Sequence, residues 1–338
     1  MTTTSDDDSK TIKIVMLGHS RVGKTTYMAS LYGAMQQQRN GFKLKAPSND
    51  DHQRLLNLSQ IIAKGNYPLG TDQRKEYMFS LLHNDEEVFE FKWADYRGEA
   101  ILLSGKTEEQ ARKLQEDLKY ADGLILFCDS EALSRGDTQA NQLGRLNSLI
   151  HHAVRDIETP MALAVVLTKS DMISAYTRPM IDHFSGLISA VNASEMVNGA
   201  FIPTACGVSS INVHVPLLYA LHVMVYIKAL YLNQLRERFE EEKRTRDEGR
   251  GVGDWIFSKM FGLPTDGELY ELAKAKLYEL EKIIEPTNES LKSLASSLEE
   301  FPLIDKDKSL DDYVEQLTAV RKLSSGNLLK RKSPWELY

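Results

Sequence analysis

Gly18-His19-Ser20-Arg21-Val22-Gly23-Lys24-Thr25 sets a glycine, four residues, a second glycine, a lysine and a hydroxyl in succession. That spacing fits the G-x-x-x-x-G-K-[ST] loop, whose chemistry is the cradling of phosphate. Glycines let consecutive backbone N–H groups turn inward around an anion. A helix opening at Thr26 adds partial positive charge at its N-terminus. Lys24 would reach β- and γ-phosphates, and the Thr25 hydroxyl suits Mg²⁺.

Such a loop needs a strand before it and a helix after it. Thr11 to Leu17 (TIKIVML) is β-branched and apolar, a buried strand. Thr26 to Gln38 repeats Tyr27, Leu31, Ala34 and Met35 at helical spacing. A short helix is expected over Asp50 to Lys64, ended by Gly65-Asn66-Tyr67-Pro68. Strands over Lys75 to Leu82 and Val88 to Ala94 flank a turn-rich His83-Asn84-Asp85-Glu86, which reads as a hairpin. Further strands are expected at Gly123 to Cys128, Met161 to Leu167 and Gly199 to Pro203, and helices at Thr107 to Lys119, Thr138 to Ile157 and Met180 to Asn192. The continuous apolar runs among them are those of central parallel strands covered on both faces. This alternation predicts an α/β fold: a Ras-like, doubly wound, mostly parallel sheet. Only Lys75–Leu82 should run antiparallel, because a short hairpin joins it to its neighbour.

The chain has 338 residues, 42% apolar and 26% charged, an ordinary globular composition with length for about two domains. Residues 1–10 are polar and acidic and read as disordered. Residues 11–248 read as the phosphate-loop domain, closing with a long helix from Val213 to about Glu248 whose second half is mixed charge. Gly249 to Gly253 reads as a linker, and the rest of 249–338 as a small helical module. In it Thr265 and Glu268 form a capping box, a first helix ends at Pro286, a second spans 287–300, and Ser309 caps a third. The apolar cluster Trp255, Ile256, Phe257, Met260 and Phe261 reads as internal packing, and Lys330-Arg331-Lys332 as a solvated tail. A net charge of −7 argues against bulk nucleic-acid affinity. Cys128 and Cys206 show no disulfide or zinc spacing, which suits a reducing cytoplasm. His151-His152 read as a helix-surface pair. Val213 to Leu232 carries His214, Pro216, His222 and Lys228 and reads as a buried helix, not a membrane span.

Further polar residues stand where strands end, the ligand edge of an open α/β sheet. They are Asp95 and Gly98; Thr168, Lys169 and Asp171; and Thr204, Ala205 and Cys206, with Thr71 ahead of the antiparallel strand. With the phosphate loop this ordered set resembles the translation-factor and Ras-related class of P-loop GTPases over about residues 11–235. The short Asp95-Tyr96-Arg97-Gly98-Glu99 element and the insertion before it resemble the bacterial double-GTPase group.

The resemblance implies roles residue by residue. Asp95 would hold Mg²⁺ through water, a role a hard dication beside phosphates also asks for. The Gly98 N–H would meet the γ-phosphate. Thr71 would join Mg²⁺ as a switch threonine, ordered in the triphosphate state. Lys169 and Asp171 match the guanine-reading N-K-x-D element, with Thr168 in place of asparagine. A carboxylate there accepts from N1–H and the 2-amino group of guanine, donors adenine lacks, so adenine would leave it unpaired. The Ala205 N–H would contact guanine O6, and Cys206 replaces the lysine of an S-A-K element. Glu99 stands where Ras-like enzymes carry a water-orienting glutamine, and its negative charge predicts slow hydrolysis. Arg21 stands where cation-dependent dimerising relatives carry asparagine and is expected to face solvent. Lys24, Thr71 and Glu99 are the catalytic candidates.

These readings converge on a cytoplasmic, Mg²⁺-dependent GTP-binding switch that hydrolyses GTP slowly to GDP and signals to a protein partner through its helical C-terminal part. Dimerisation is left open. Two alternatives stay open as well. One is a nucleotide-binding scaffold of a bacterial conflict or defence complex with little turnover. The other is an ATP-binding P-loop protein.

Overall fold

The computed structural model describes residues 12–39, 41–68, 75–95, 114, 116–155, 157, 160–194, 196–226, 229, 237, 278, 298 and 300–328. The strands are β1 (Ile12–Leu17), β2 (Phe42–Lys45), β3 (Lys75–His83), β4 (Glu86–Asp95), β5 (Gly123–Asp129), β6 (Met161–Thr168) and β7 (Val197–Pro203). They form one sheet in the order β2-β3-β4-β1-β5-β6-β7. β4, β1, β5, β6 and β7 are parallel, and β3 pairs antiparallel with both β2 and β4. The expected Ras-like sheet with one reversed strand is therefore the observed one. The β3–β4 turn is made by Asn84 and Asp85, both at positive φ, the tight hairpin turn that matches strand twist.

Period-two alternation sorts the central strands between two cores. Ile14, Met16, Ile125, Phe127, Ala162, Ala164 and Val166 face one side. Val15, Leu17, Leu124, Leu126, Leu163, Val165 and Leu167 face the other. β5 and β6 are buried along their whole length, as strands covered on both faces must be. On the first side lie α1 (Lys24–Met35) and α2 (Asn49–Ala63), together with α8 (residues 215–226). Small residues let α8 approach closely: a side chain at Gly123 would meet the Ala220 methyl 3.5 Å away. The second side is covered by α5 (Leu143–Arg155), α6 (Arg178–Asp182), α7 (Ser185–Asn192) and α9 (Leu310–Leu328).

Two expected helices are each broken in the structure. Thr138–Ile157 divides into α4 (Thr138–Asn141) and α5, with Gln142 at φ 51 between them. The break frees the buried Asn141 side chain to bond both backbone groups of Asp129. Met180–Asn192 starts earlier, at α6, and stops at His183–Phe184 before α7. There Phe184 drops fully into the core, and Asn147 Nδ2 donates to the freed His183 carbonyl at 3.0 Å. α3 (Ser130–Ser134) and the edge strand β2 were not anticipated.

α9 has the expected Ser309 cap. Asp312 N–H donates to Ser309 Oγ, and Ser309 N–H donates to Asp312 Oδ2 at 2.7 Å, a reciprocal capping box. Its Tyr313 and Leu317 are wholly buried in the core beneath β7. Tyr313 meets Phe201 edge-on at 5.5 Å between centroids. The segment before α9 adds two backbone bonds to β7: Phe201 N–H to Pro302 O, and Ile304 N–H to Gly199 O. Residues 301–320 thus share the core of the sheet. The linker, the Thr265 capping box, most of the two preceding helices and most of residues 227–248 lie outside the described residues. No described helix is long and apolar enough to cross a membrane.

Candidate functional site

The phosphate loop spans the turn from β1 to α1, at the edge where β4 and β5 flank β1. Gly18 has no room for a side chain: a Cβ would lie 2.9 Å from Phe127 Cβ and from Val22 Cγ2. Gly23 caps α1 at φ 99, a left-handed conformation that a side chain would strain. Both glycines of the motif are therefore required by backbone geometry. Lys24 Nζ donates to Gly18 O at 2.8 Å and His19 O at 3.2 Å, which holds the ammonium over the mouth of the loop. His19, Ser20, Thr25 and Thr26 are half-buried around it, Val22 is buried, and Arg21 is exposed, as expected.

Asp95 is the last residue of β4, in register with Met16 of β1. Its backbone thus ends one residue short of the strand end that starts the loop. Thr71, Gly98 and Glu99 lie outside the described residues.

Across β1, the Thr168–Asp171 loop is tied directly to the phosphate loop. Thr168 is buried, and its hydroxyl lies 2.8 Å from Val22 O and 3.0 Å from Cys128 O. One proton is shared between two carbonyls. Lys169 adopts φ 53, and its ammonium pairs with Asp129 Oδ2 at 2.5 Å. The other Asp129 oxygen caps α3 through Ala132 N–H, and Asn141 holds the Asp129 backbone. Asp171 stands exposed at the loop tip. The protein beneath it disfavours its charged form and raises its carboxyl above the usual range; the Arg321 charge opposes this, and Glu131 adds to it.

The third loop is docked on the second: Ser170 N–H donates to Thr204 O at 3.2 Å. The Ala205 N–H donates to Ile211 O at 3.0 Å, closing a small bridge between Ala205 and Ile211. It cannot turn to guanine O6 without opening that bridge. The Cys206 side chain packs against the core beneath α1, and burial pushes its thiol up to about 12. It packs as a neutral group. Tyr67 packs on the same loop. It is 59% exposed, and its hydroxyl reaches the Cys206 carbonyl at 3.5 Å and crowds Gly207.

Phosphate loop, Thr168–Asp171 and Thr204–Cys206 are therefore one hydrogen-bonded assembly at one sheet edge. Asp129, Asn141, Tyr67 and Arg321 belong to it and were not anticipated. For Asp129 a signal existed: an acid closing a fully apolar strand. Asn141 and Arg321 had none, being placed by folding alone.

Residues 15–166 match the family described as DO-GTPase1, Double-GTPase 1. No curated protein matches the chain. Among solved structures, the bacterial selenocysteine-specific elongation factor EF-Sec is 16% identical over 58% of this chain and 26% of that one, with a TM-score of 0.31. The S. cerevisiae Ski7 GTPase-like domain, bound to GTP, is 15% identical over 62% of this chain and 46% of that one, with a TM-score of 0.38. The chain thus spans less than half the length of either.

Proposed function

Starting from a P-loop GTPase unit, we propose that the chain is a GTP-binding switch that hydrolyses GTP slowly with Mg²⁺. The observation that carries the reading is the Thr168 bridge to Val22. It joins the loop whose spacing suits phosphate to the loop whose Lys169 and Asp171 suit guanine. A triphosphate lying over Lys24 would set its base beside Asp171.

The donor set fits the metal. A hydroxyl in the first turn of α1 (Thr25) and a carboxyl-bearing residue at the end of β4 (Asp95) flank the loop, and both supply oxygen. Thr71 would complete the set in the triphosphate state. When bound, Mg²⁺ neutralises charge on the phosphates. The chain's own part would be positioning: Lys24 for the phosphates, Asp171 for the base and, by resemblance, Glu99 for the attacking water.

Glu99 also favours a second reading, a scaffold with little turnover, because a carboxylate beside a triphosphate repels rather than assists. Single-turnover hydrolysis of bound GTP, in wild type and Glu99→Gln, separates the two. A wild-type rate above the uncatalysed one that changes in the variant supports the switch. No hydrolysis in either supports the scaffold.

A further inference from the structure

We infer that Arg321, on the C-terminal helix α9, is a positioning residue for the guanine-reading loop. The inference rests on the proposed role of Asp171. Arg321 Nε donates to Ser170 O at 2.7 Å, and its Nη1 donates to Ser174 O at 2.8 Å. One rigid guanidinium thus brackets the five-residue segment from Ser170 to Ser174 that carries Asp171. Two neighbouring contacts seat the same helix on the same loop. Tyr176 N–H donates to Thr318 Oγ1 at 3.3 Å, and Arg178 pairs with Asp311 at 2.8 Å.

The helix is itself fixed. Tyr313, Leu317 and Val320 recur at helical spacing and are buried, so Thr318 and Arg321 flank a face that cannot rotate. The loop's other anchors, Thr168, the Lys169 ammonium and the Ser170 N–H, all lie before Asp171, whereas Arg321 spans it. Lys169 is at positive φ, and a single 3₁₀ turn over Ser170–Met172 separates it from the extended Ile173. Without Arg321, the Ser170 and Ser174 carbonyls on either side of Asp171 lose a charged donor. The charges around Asp171 are Arg321 from α9 and Glu131 from α3; Tyr67, Cys206 and Tyr176 also feel it. The C-terminal segment thereby enters nucleotide recognition without touching nucleotide.

The test uses the full chain, with GTP, ATP and inorganic tripolyphosphate titrated calorimetrically into wild type, Arg321→Met, Arg321→Lys and Asp171→Asn. Arg321→Met should lose GTP affinity about tenfold, the order of one charge-assisted hydrogen bond, while tripolyphosphate affinity stays. The acid limb of its GTP affinity should move to higher pH, because the opposing charge is gone. Arg321→Lys keeps the charge but reaches one carbonyl, so its loss should be intermediate. It also supplies the readout if Arg321→Met does not fold. An unchanged GTP affinity in the variants, or a parallel fall for GTP and tripolyphosphate, overturns the inference. A GTP preference intact in Asp171→Asn refutes the guanine-reading assignment itself, whatever the Arg321 variants do.

Discussion

The Thr168 hydroxyl lies 2.8 Å from the carbonyl oxygen of Val22, a residue 146 positions earlier in the chain. That bond fixes the distance between the phosphate end and the base end of the proposed site. Thr168→Val keeps shape and removes the donor, leaving two buried carbonyls short of a partner. The expected cost is about 1–3 kcal/mol of stability, with GTP affinity down about tenfold. Thr168→Asn, which restores a donor, should recover most of both. Calorimetric titration and thermal melts read them.

Asp171 sets the pH dependence. Although its tip is exposed, the protein beneath it partly desolvates the carboxyl and raises it, and guanine needs it ionised, so GTP affinity should fall as pH drops through that raised value. The fall begins above the ordinary aspartate range of about 3.9 and approaches tenfold per pH unit below it. Phosphate titration contributes equally in Asp171→Asn, so the difference between the two pH profiles isolates this group. Identical profiles would remove Asp171 from base recognition.

Tyr67 is exposed and its hydroxyl reaches the Cys206 carbonyl, so in the proposed site its ring would be available to a bound base. Tyr67→Ala should weaken GTP about tenfold, within the range of one base–aromatic stack, and leave tripolyphosphate unaffected. Tyr67→Phe should bind like wild type. Fluorescence titration with an environment-sensitive GTP analogue checks both.

Tyr313 ties the C-terminal helix to the sheet. It is wholly buried, meets Phe201, and its hydroxyl both donates to Asp305 O and accepts from Asp305 N–H. Tyr313→Ala should cost about 3–5 kcal/mol, as large aromatic truncations do. Deletion from residue 301 onward should leave an unstable α/β unit. Chemical denaturation of the variant beside wild type measures the first.

What the sequence disclosed was local. The tight turn at Gly18 and Gly23 was legible because the motif's spacing demands it, and β5 and β6 because a strand covered on both faces must be apolar throughout. The Ser309 cap was legible within four residues. β2 was missed although Phe42 and Leu44 alternate with Lys43 and Lys45, because four residues give a pattern little weight. The breaks at Gln142 and His183 answer to tertiary demands, the Asn141 bonds to Asp129 and the burial of Phe184. Lys169–Asp129 and Arg321–Ser170 join residues 40 and 151 positions apart, beyond any window of periodicity. The bond from the Ala205 N–H to Ile211 O was not legible, because resemblance carries a backbone role without the partner that holds it in this fold.

The central claim is that the Thr168–Asp171 loop reads guanine on a triphosphate gripped by Lys24. Side-by-side calorimetric titration of the full chain with GTP and ATP in the presence of Mg²⁺ tests it most directly. The account predicts GTP bound at least about a hundredfold more tightly than ATP, with the difference abolished in Asp171→Asn. Equal affinities, or a preference for ATP, would contradict it.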